Sequence, residues 1–290
     1  MVDLHVHTVY SDGEHTPVEI LDICNNRGVS TVSITDHNSM EGSRQAIANN
    51  PYSNIKVIPG VELSARWHVK GANLHILGYG IDLNNQELNN ATNSVMLDNV
   101  RRLQSLVKLL KEHYNISFKE EDLEQVYGAI GNIGRPDIAK LCVKYGYSDS
   151  VQEAFVKYLD PVDDKIVKRR AEFTDKSAIE CILRAGGIPC LAHPIELLID
   201  IDELRKYIPT LMSYGLRAIE VFQSKHPVSY TAELLKIANE FGLLHSVGSD
   251  YHGPIVTPDI ELGYGREHNL HINSATILSR FWGETYVCYV

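Results

Sequence analysis

Six histidines sit in or just past apolar, strand-like runs, and that placement restricts the fold more than any other feature of the chain. The segments are Asp3-Leu4-His5-Val6-His7, Thr35-Asp36-His37, Asn73-Leu74-His75-Ile76, Leu191-Ala192-His193-Pro194 and Ser249-Asp250-Tyr251-His252. Asp12, Glu62 and Glu220 end or follow similar runs. Packing alone rarely sets so many imidazoles and carboxylates beside the ends of buried strands. Neutral imidazoles and carboxylates together are the ligand set of a divalent transition-metal cluster. The expectation is a multinuclear metal site that does hydrolytic chemistry.

The chain has 290 residues, enough for one large α/β domain or a barrel with an insertion. Its formal net charge of −10 argues against a nucleic-acid coat protein, which would carry a basic surface. An anionic substrate is still compatible, because bound divalent cations reverse the local sign. No apolar run approaches the roughly 18 to 20 residues of a membrane span. The first residues lack a basic region and run straight into the His5-His7 strand, so no signal peptide is expected. The five cysteines form no CxxC pair, and buried free thiols in a reducing compartment are expected. A cytoplasmic enzyme with no membrane partner follows.

Strand-like runs at 2–7, 30–35, 55–61, 73–79, 188–192, 218–222 and 244–248 alternate with helical patterns. After the first run, Thr16 can cap a helix, Pro17 suits its first turn and Gly28 ends it. Further helices are expected over about 39–48, 176–185 and 228–241. Such alternation predicts a parallel sheet. The region 84–168 breaks the rhythm with helical patterns only, the longest from Gln86 to about Tyr114. The metal-type residues stop at His75 and resume at His193. An all-helical insertion over 84–168, within a barrel made of 1–83 and 169–290, explains both facts.

Residues i and i+2 of a strand share a face, so His5 and His7 point one way, with Val6 opposite. Asp3 shares their face and could orient a ligand imidazole. His7, Asp36-His37, Glu62, His193, Glu220 and Asp250-His252 each fall at or past the C-terminal end of a strand. Functional residues collect there in parallel α/β barrels.

The blocks Asp3-Leu4-His5-Val6-His7-Thr8, Thr35-Asp36-His37-Asn38, Leu191-Ala192-His193-Pro194 and Gly248-Ser249-Asp250-Tyr251-His252-Gly253 resemble the four motifs of the PHP (polymerase and histidinol phosphatase) family. Gly60-Val61-Glu62 and His75-Ile76-Leu77-Gly78-Tyr79 fit as well. The resemblance runs along essentially the whole chain. It implies an α/β fold: a distorted seven-stranded (β/α) barrel with two or three metal ions at its C-terminal mouth. By position, His5, His7, Glu62 and Asp250 would surround one ion. Glu62 would bridge to a second, held by His75 and His193. Asp12, His37 and His252 would hold a third. Manganese, iron and zinc all suit these donors. Asp36 and His37, beside the cluster, are candidates for moving protons.

The segment Gly131-Asn132-Ile133-Gly134-Arg135-Pro136-Asp137-Ile138-Ala139 resembles one found in PHP members that act on nucleotides. Arg135 at a helix start suits a phosphate, though a surface arginine before an ordinary helix has the same appearance. His226, in Phe222-Gln223-Ser224-Lys225-His226-Pro227, would bind a phosphate oxygen or protonate the leaving group, or simply precede a helix begun at Pro227. Ser224 and Lys225 flank it as substrate contacts. The basic run from Lys165 to Arg170 is a solvated linker or a second phosphate contact. Trp67 is a hydrophobic loop residue or a platform for a base. The other histidines lack the strand-end pattern.

The resemblance implies metal-dependent hydrolysis of a phosphomonoester on a small nucleotide such as AMP or a nucleoside 3′,5′-bisphosphate, with the insertion as a lid and no stable complex with long nucleic acid. The alternatives are a histidinol-phosphate phosphatase, a 5′-to-3′ exonuclease on short RNA and a non-catalytic metal-binding module.

Overall fold

The computed structural model describes residues 1–69, 72–128, 133–163 and 173–270, together with Ile277 and Phe281. The basic run over 165–170, His271, Gly131-Asn132 and, apart from Phe281, the segment 281–290 lie outside the described residues. The chain divides into two compact units. One comprises Met1–Asn90 with Glu172–Val290, the other Ala91–Ala171.

In the first unit, β1 (Val2–Val6), α1 (Pro17–Arg27), β2 (Thr31–Ile34), α2 (Glu41–Ala48), β3 (Lys56–Arg66) and β4 (Leu74–Tyr79) follow one another. Local chemistry explains α1. Thr16 and Glu19 form a reciprocal cap, Pro17 opens the helix and Gly28, at φ 71°, closes it. The helix α3 (Gln86–Tyr114) begins in this unit and continues into the second.

The second unit adds α4 (Glu120–Tyr127), α5 (Arg135–Lys144), α6 (Val151–Ala154), a π-helical turn over Phe155–Leu159 and α7 (Asp160–Asp163). Leu103, Leu106 and Leu110 of α3 pack with Ile138, Ala139 and Cys142 of α5 in a core of its own. No strand occurs among its described residues.

The first unit then resumes with β5 (Phe173–Thr174), α8 (Asp175–Arg184), β6 (Ile188–Leu191), α9 (Ile201–Tyr214), β7 (Ala218–Gln223), α10 (Val228–Phe241) and β8 (Leu244–Gly248). Seven strands pair in the order β1-β2-β3-β4-β6-β7-β8, and the two-residue β5 adds to β3. Beyond the regular ladder, the His7 amide donates to the Tyr251 carbonyl at 2.9 Å and the Asp250 amide to the His5 carbonyl at 2.8 Å. These bonds bring the last strand back to the first and nearly close the barrel. No described helix is long and apolar enough to cross a membrane.

The sheet is not wholly parallel, as the helix–strand alternation had suggested. β4 runs antiparallel to both β3 and β6. Only residues 67–73 link β3 to β4, too few for the helical crossover that parallel neighbours need. Antiparallel pairing with β4 also carries β3 on to Arg66, past the expected end at 61. The helix α9 had no counterpart in the sequence reading, because Pro209 lies inside its pattern.

Candidate metal centre

His5 of β1 and His7 just past its end point toward one place, with their Nε2 atoms 3.1 Å apart. Glu62 Oε2 lies 3.3 Å from His5 Nε2 and 3.2 Å from His7 Nε2. Asp250 Oδ1 lies 3.5 Å from each. The other oxygen of Glu62 faces a second pair: His193 Nε2 at 2.9 Å and His75 Nδ1 at 3.0 Å. Those two nitrogens are 3.2 Å apart. Asp12 gathers a third set, with His252 Nε2 at 3.3 Å, His7 Nδ1 at 3.5 Å and His37 Nε2 at 3.7 Å. His37 Nδ1 also lies 3.0 Å from Glu62 Oε2.

All nine residues expected as metal ligands therefore meet. They form four overlapping groups able to hold an ion: His7, Asp12, His37 and His252; His5, His7 and Asp250; His5, Glu62 and His193; His37, Glu62 and His75. Donor atoms within each group lie within 4.8 Å of one another. Ligands about 2.1 Å from a cation stand about 3.0 Å apart in an octahedron and about 3.4 Å in a tetrahedron. Much of the cluster has that spacing. Glu62 Oε2 and His37 Nδ1 are buried and lack a partner with hydrogen-bond geometry. These donors point at shared space more than at each other, which fits a divalent ion.

β4's direction explains His75. It is the second residue of its strand, yet the reversal sets it beside Ser64 of β3, two residues beyond Glu62. His193 and Asp250 follow β6 and β8 with positive φ angles of 23° and 58°. Side-chain-bearing residues adopt such angles at a cost of roughly 1–3 kcal/mol, tolerated where the surrounding structure enforces them. At Gly248 a Cβ would overlap His5 and come 2.8 Å from Glu220 Oε1, so glycine permits the close approach of β8 to β1.

The cluster balances its charge internally. Burial opposes a charge on His5, but Glu220, Glu62 and Asp250 overcome it and raise its pKa well above the ordinary value. His7 is pushed up to about 10 by Asp250 and Glu62, again against burial. Burial takes His37 down to about 3 and keeps it neutral. Burial alone would raise Glu62 and Asp250, yet the imidazoles hold both well below the usual carboxylate range. Cation binding displaces protons from such ligands.

A supporting layer surrounds the donors. Glu220 is fully buried, with Oε1 3.0 Å from His5 Nδ1 and Oε2 accepting from the His193 amide at 2.6 Å. A carboxylate on one ring nitrogen leaves the other lone pair for a metal. Glu196 Oε2 lies 3.4 Å from His193 Nδ1, and its Oε1 accepts from Lys225 Nζ at 2.7 Å. Burial would lower the Lys225 pKa, but Asp250 and Glu196 outweigh it and hold it above the usual lysine range. The sequence marked Glu220 as a strand-end residue without giving it a role, and it passed over Glu196. The signal for Glu196 was its place three residues past His193.

Other candidates occupy different positions. Asp36 is fully buried and accepts from the Thr8 amide, the Thr8 hydroxyl and the Ser11 hydroxyl, each at 2.7 Å. Both its oxygens anchor the loop after β1, which is a supporting place and not a reacting one. Asp3 accepts from the amides of His5, Ser249 and Gly263, so it holds backbone and orients no imidazole. Ser224 is buried and donates to the Ser249 carbonyl at 2.6 Å, which engages the hydroxyl expected at the substrate. His226 is buried, with Nδ1 3.0 Å from the Val221 carbonyl and Nε2 without a partner. Burial lowers its pKa. In the helical unit, Arg135 Nη1 donates to Asp160 at 2.9 Å, and its guanidinium lies 5.1 Å from the Phe155 ring centre. Trp67 packs on Tyr207 and donates to the Leu197 carbonyl at 3.3 Å.

A model of the PHP domain family matches residues 3–169. The chain belongs to the PHP family. A 5′-3′ exoribonuclease of Haemophilus influenzae is 30% identical over 260 residues, covering 87% of this chain and 90% of that protein. A 3′,5′-nucleoside bisphosphate phosphatase of Chromobacterium violaceum is 28% identical over 256 residues, covering 87% of each. A solved structure of a Chromobacterium violaceum amidohydrolase, with bound sulfate and no metal, superposes with a TM-score of 0.68 at 26% identity, covering 87% of this chain and 88% of that one. This PHP chain is accordingly an enzyme, a metal-dependent phosphoesterase with a nearly closed seven-stranded barrel. Its His, Asp and Glu groups can bind the metal on which that class depends.

Proposed function

We propose that the enzyme hydrolyses phosphomonoesters of small nucleotides, such as AMP or a nucleoside 3′,5′-bisphosphate. One observation carries this reading: Glu62 divides its two oxygens between two neighbouring groups of imidazoles. His5, His7, Glu62 and Asp250 would hold one ion, Glu62, His75 and His193 a second, and Asp12, His37 and His252 a third. Once bound, manganese, iron or zinc ions supply Lewis acidity toward phosphoryl oxygens and a nucleophilic water at neutral pH.

The protein's own groups do the rest. Glu220 keeps His5 and the His193 backbone in place, and Asp36 fixes the loop that carries Asp12. With its Nδ1 proton given to Val221, His226 presents a lone pair at Nε2. It therefore takes up a proton instead of gripping a phosphate oxygen. In the helical unit Arg135, which pairs with Asp160, is kept as the phosphate-binding residue of this reading. The named bisphosphate phosphatase among the relatives supports the nucleotide substrate. The four buried free cysteines among the described residues support a reducing cytoplasm as its location.

A second reading, exonucleolytic removal of nucleotides from short RNA, is favoured by the named exoribonuclease relative. Chelated enzyme reloaded with Mn²⁺ should release phosphate from AMP or a 3′,5′-bisphosphate faster than from histidinol phosphate. Asp250→Ala and His193→Ala should both abolish release. Stepwise shortening of a 5′-phosphorylated oligoribonucleotide, with the mononucleotides untouched, would replace the first reading by the second.

A further inference from the structure

The carboxylate of Asp250 is divided. Its Oδ1 faces the Nε2 atoms of His5 and His7, 3.5 Å from each. Its Oδ2 accepts from Lys225 Nζ at 3.2 Å and from Gln223 Nε2 at 3.3 Å. The Gln223 amide cannot turn freely, because its Oε1 accepts from the Lys225 backbone N–H at 2.6 Å. The residue is nearly buried, and its backbone is held at φ 58°. Swinging Oδ2 toward the imidazoles would break a charge-assisted bond to Lys225.

Cations differ in what they ask of a carboxylate. Ca²⁺ takes many oxygens in flexible geometry and often binds both from one group. Transition ions in nitrogen-rich sites are held in smaller spheres with fewer oxygens than Ca²⁺ takes. A carboxylate restricted to one free oxygen favours the compact ions.

We propose that Lys225 is a positioning residue that confines Asp250 to one-oxygen ligation and so biases the centre toward small transition-metal ions over Ca²⁺. Nothing in the position of Lys225 requires it to touch the substrate. Its side chain is one-third exposed and lies between Asp250 and Glu196. The inference rests on the reading of Asp250 as a metal-facing residue.

The test is the ratio of the Ca²⁺ to the Mn²⁺ dissociation constant, measured on the metal-free full chain from bound-Mn²⁺ electron paramagnetic resonance with Ca²⁺ as competitor. Lys225→Met should narrow the ratio about tenfold, the lower end of what outer-sphere changes do to metal affinity. Lys225→Arg keeps the charge and the donors and should stay within about threefold of wild type on the same scale. Should Lys225→Met fail to fold by circular dichroism, Lys225→Gln takes its place under the same criterion. A merely structural role for Lys225 would weaken both ions alike, so an unchanged ratio in the Met variant overturns the proposal. Absence of stoichiometric Mn²⁺ binding by wild type would instead refute the metal-facing reading of Asp250.

Discussion

Glu220 touches no predicted substrate group, yet Glu220→Gln should disable the metal centre. Its two oxygens have different demands on them. Oε2 takes the His193 backbone N–H at 2.6 Å, and that donor has no alternative. In the variant, the amide oxygen must therefore stay with His193. The amide NH₂ is then left against His5 Nδ1, which stands 3.0 Å from Oε1 in the wild type. An NH₂ there requires Nδ1 to accept, so the imidazole proton moves to Nε2. That nitrogen is the one facing His7, Glu62 and Asp250. A protonated Nε2 cannot bind a cation. Changes to the partner of a ligating histidine typically cost 10- to 100-fold in metal affinity, about 1.4 to 2.7 kcal/mol. The loss of fold stability should be smaller. A bond to a charged group becomes a neutral one, a difference of about 1 kcal/mol. Competition against a chelator gives the affinity, and urea denaturation of metal-free protein gives the stability. Wild-type Mn²⁺ affinity in Glu220→Gln would refute the tautomer reasoning.

Gly248→Ala forces a Cβ into His5 and toward Glu220, with backbone on one side, so it should destabilise the fold by about 1–3 kcal/mol. An unchanged urea midpoint would show that β8 relaxes freely. The Cys142 thiol is buried in the helical unit, and burial raises its pKa to about 11. The folded chain thus binds that proton more tightly than the unfolded one. This contribution to stability is complete below the unfolded value near pH 8.5 and fades as pH rises toward 11. Iodoacetamide at about pH 8.5 should therefore label Cys142 far more slowly in native than in denatured protein, and equal rates by mass spectrometry would contradict its burial.

The donors were legible because strand geometry is simple. Alternation put His5 and His7 on one face, and strand polarity gathered Glu62, His193 and Asp250 at one mouth. His75 did not fit that rule by itself. A parallel strand would have carried it to the far end, and only the reversal of β4, made unavoidable by a short link, brings it back. Pro209 hid α9, since local propensity disfavours a mid-helix proline that packing tolerates here. The supporting layer was the least readable part. Glu196 and Gln223 look like ordinary residues, and Lys225 like a substrate contact, until the chain brings residues 196, 225 and 250 together. Ser224 shows the converse: a hydroxyl in a suggestive motif that a backbone carbonyl occupies.

The seam where the first strand meets the last is also where the donors converge. The bond from the Ser249 amide to Asp3 already spans 246 positions of the chain. A cross-link over a loop that long removes about 5 kcal/mol of unfolded-chain entropy in the simplest treatment. A cation gripped by His5, His7 and Asp250 would act as such a clasp, riveting the first barrel strand to the last. Loading the centre would then harden the whole barrel as well as arm it, and stripping it would loosen the wall at its own joint.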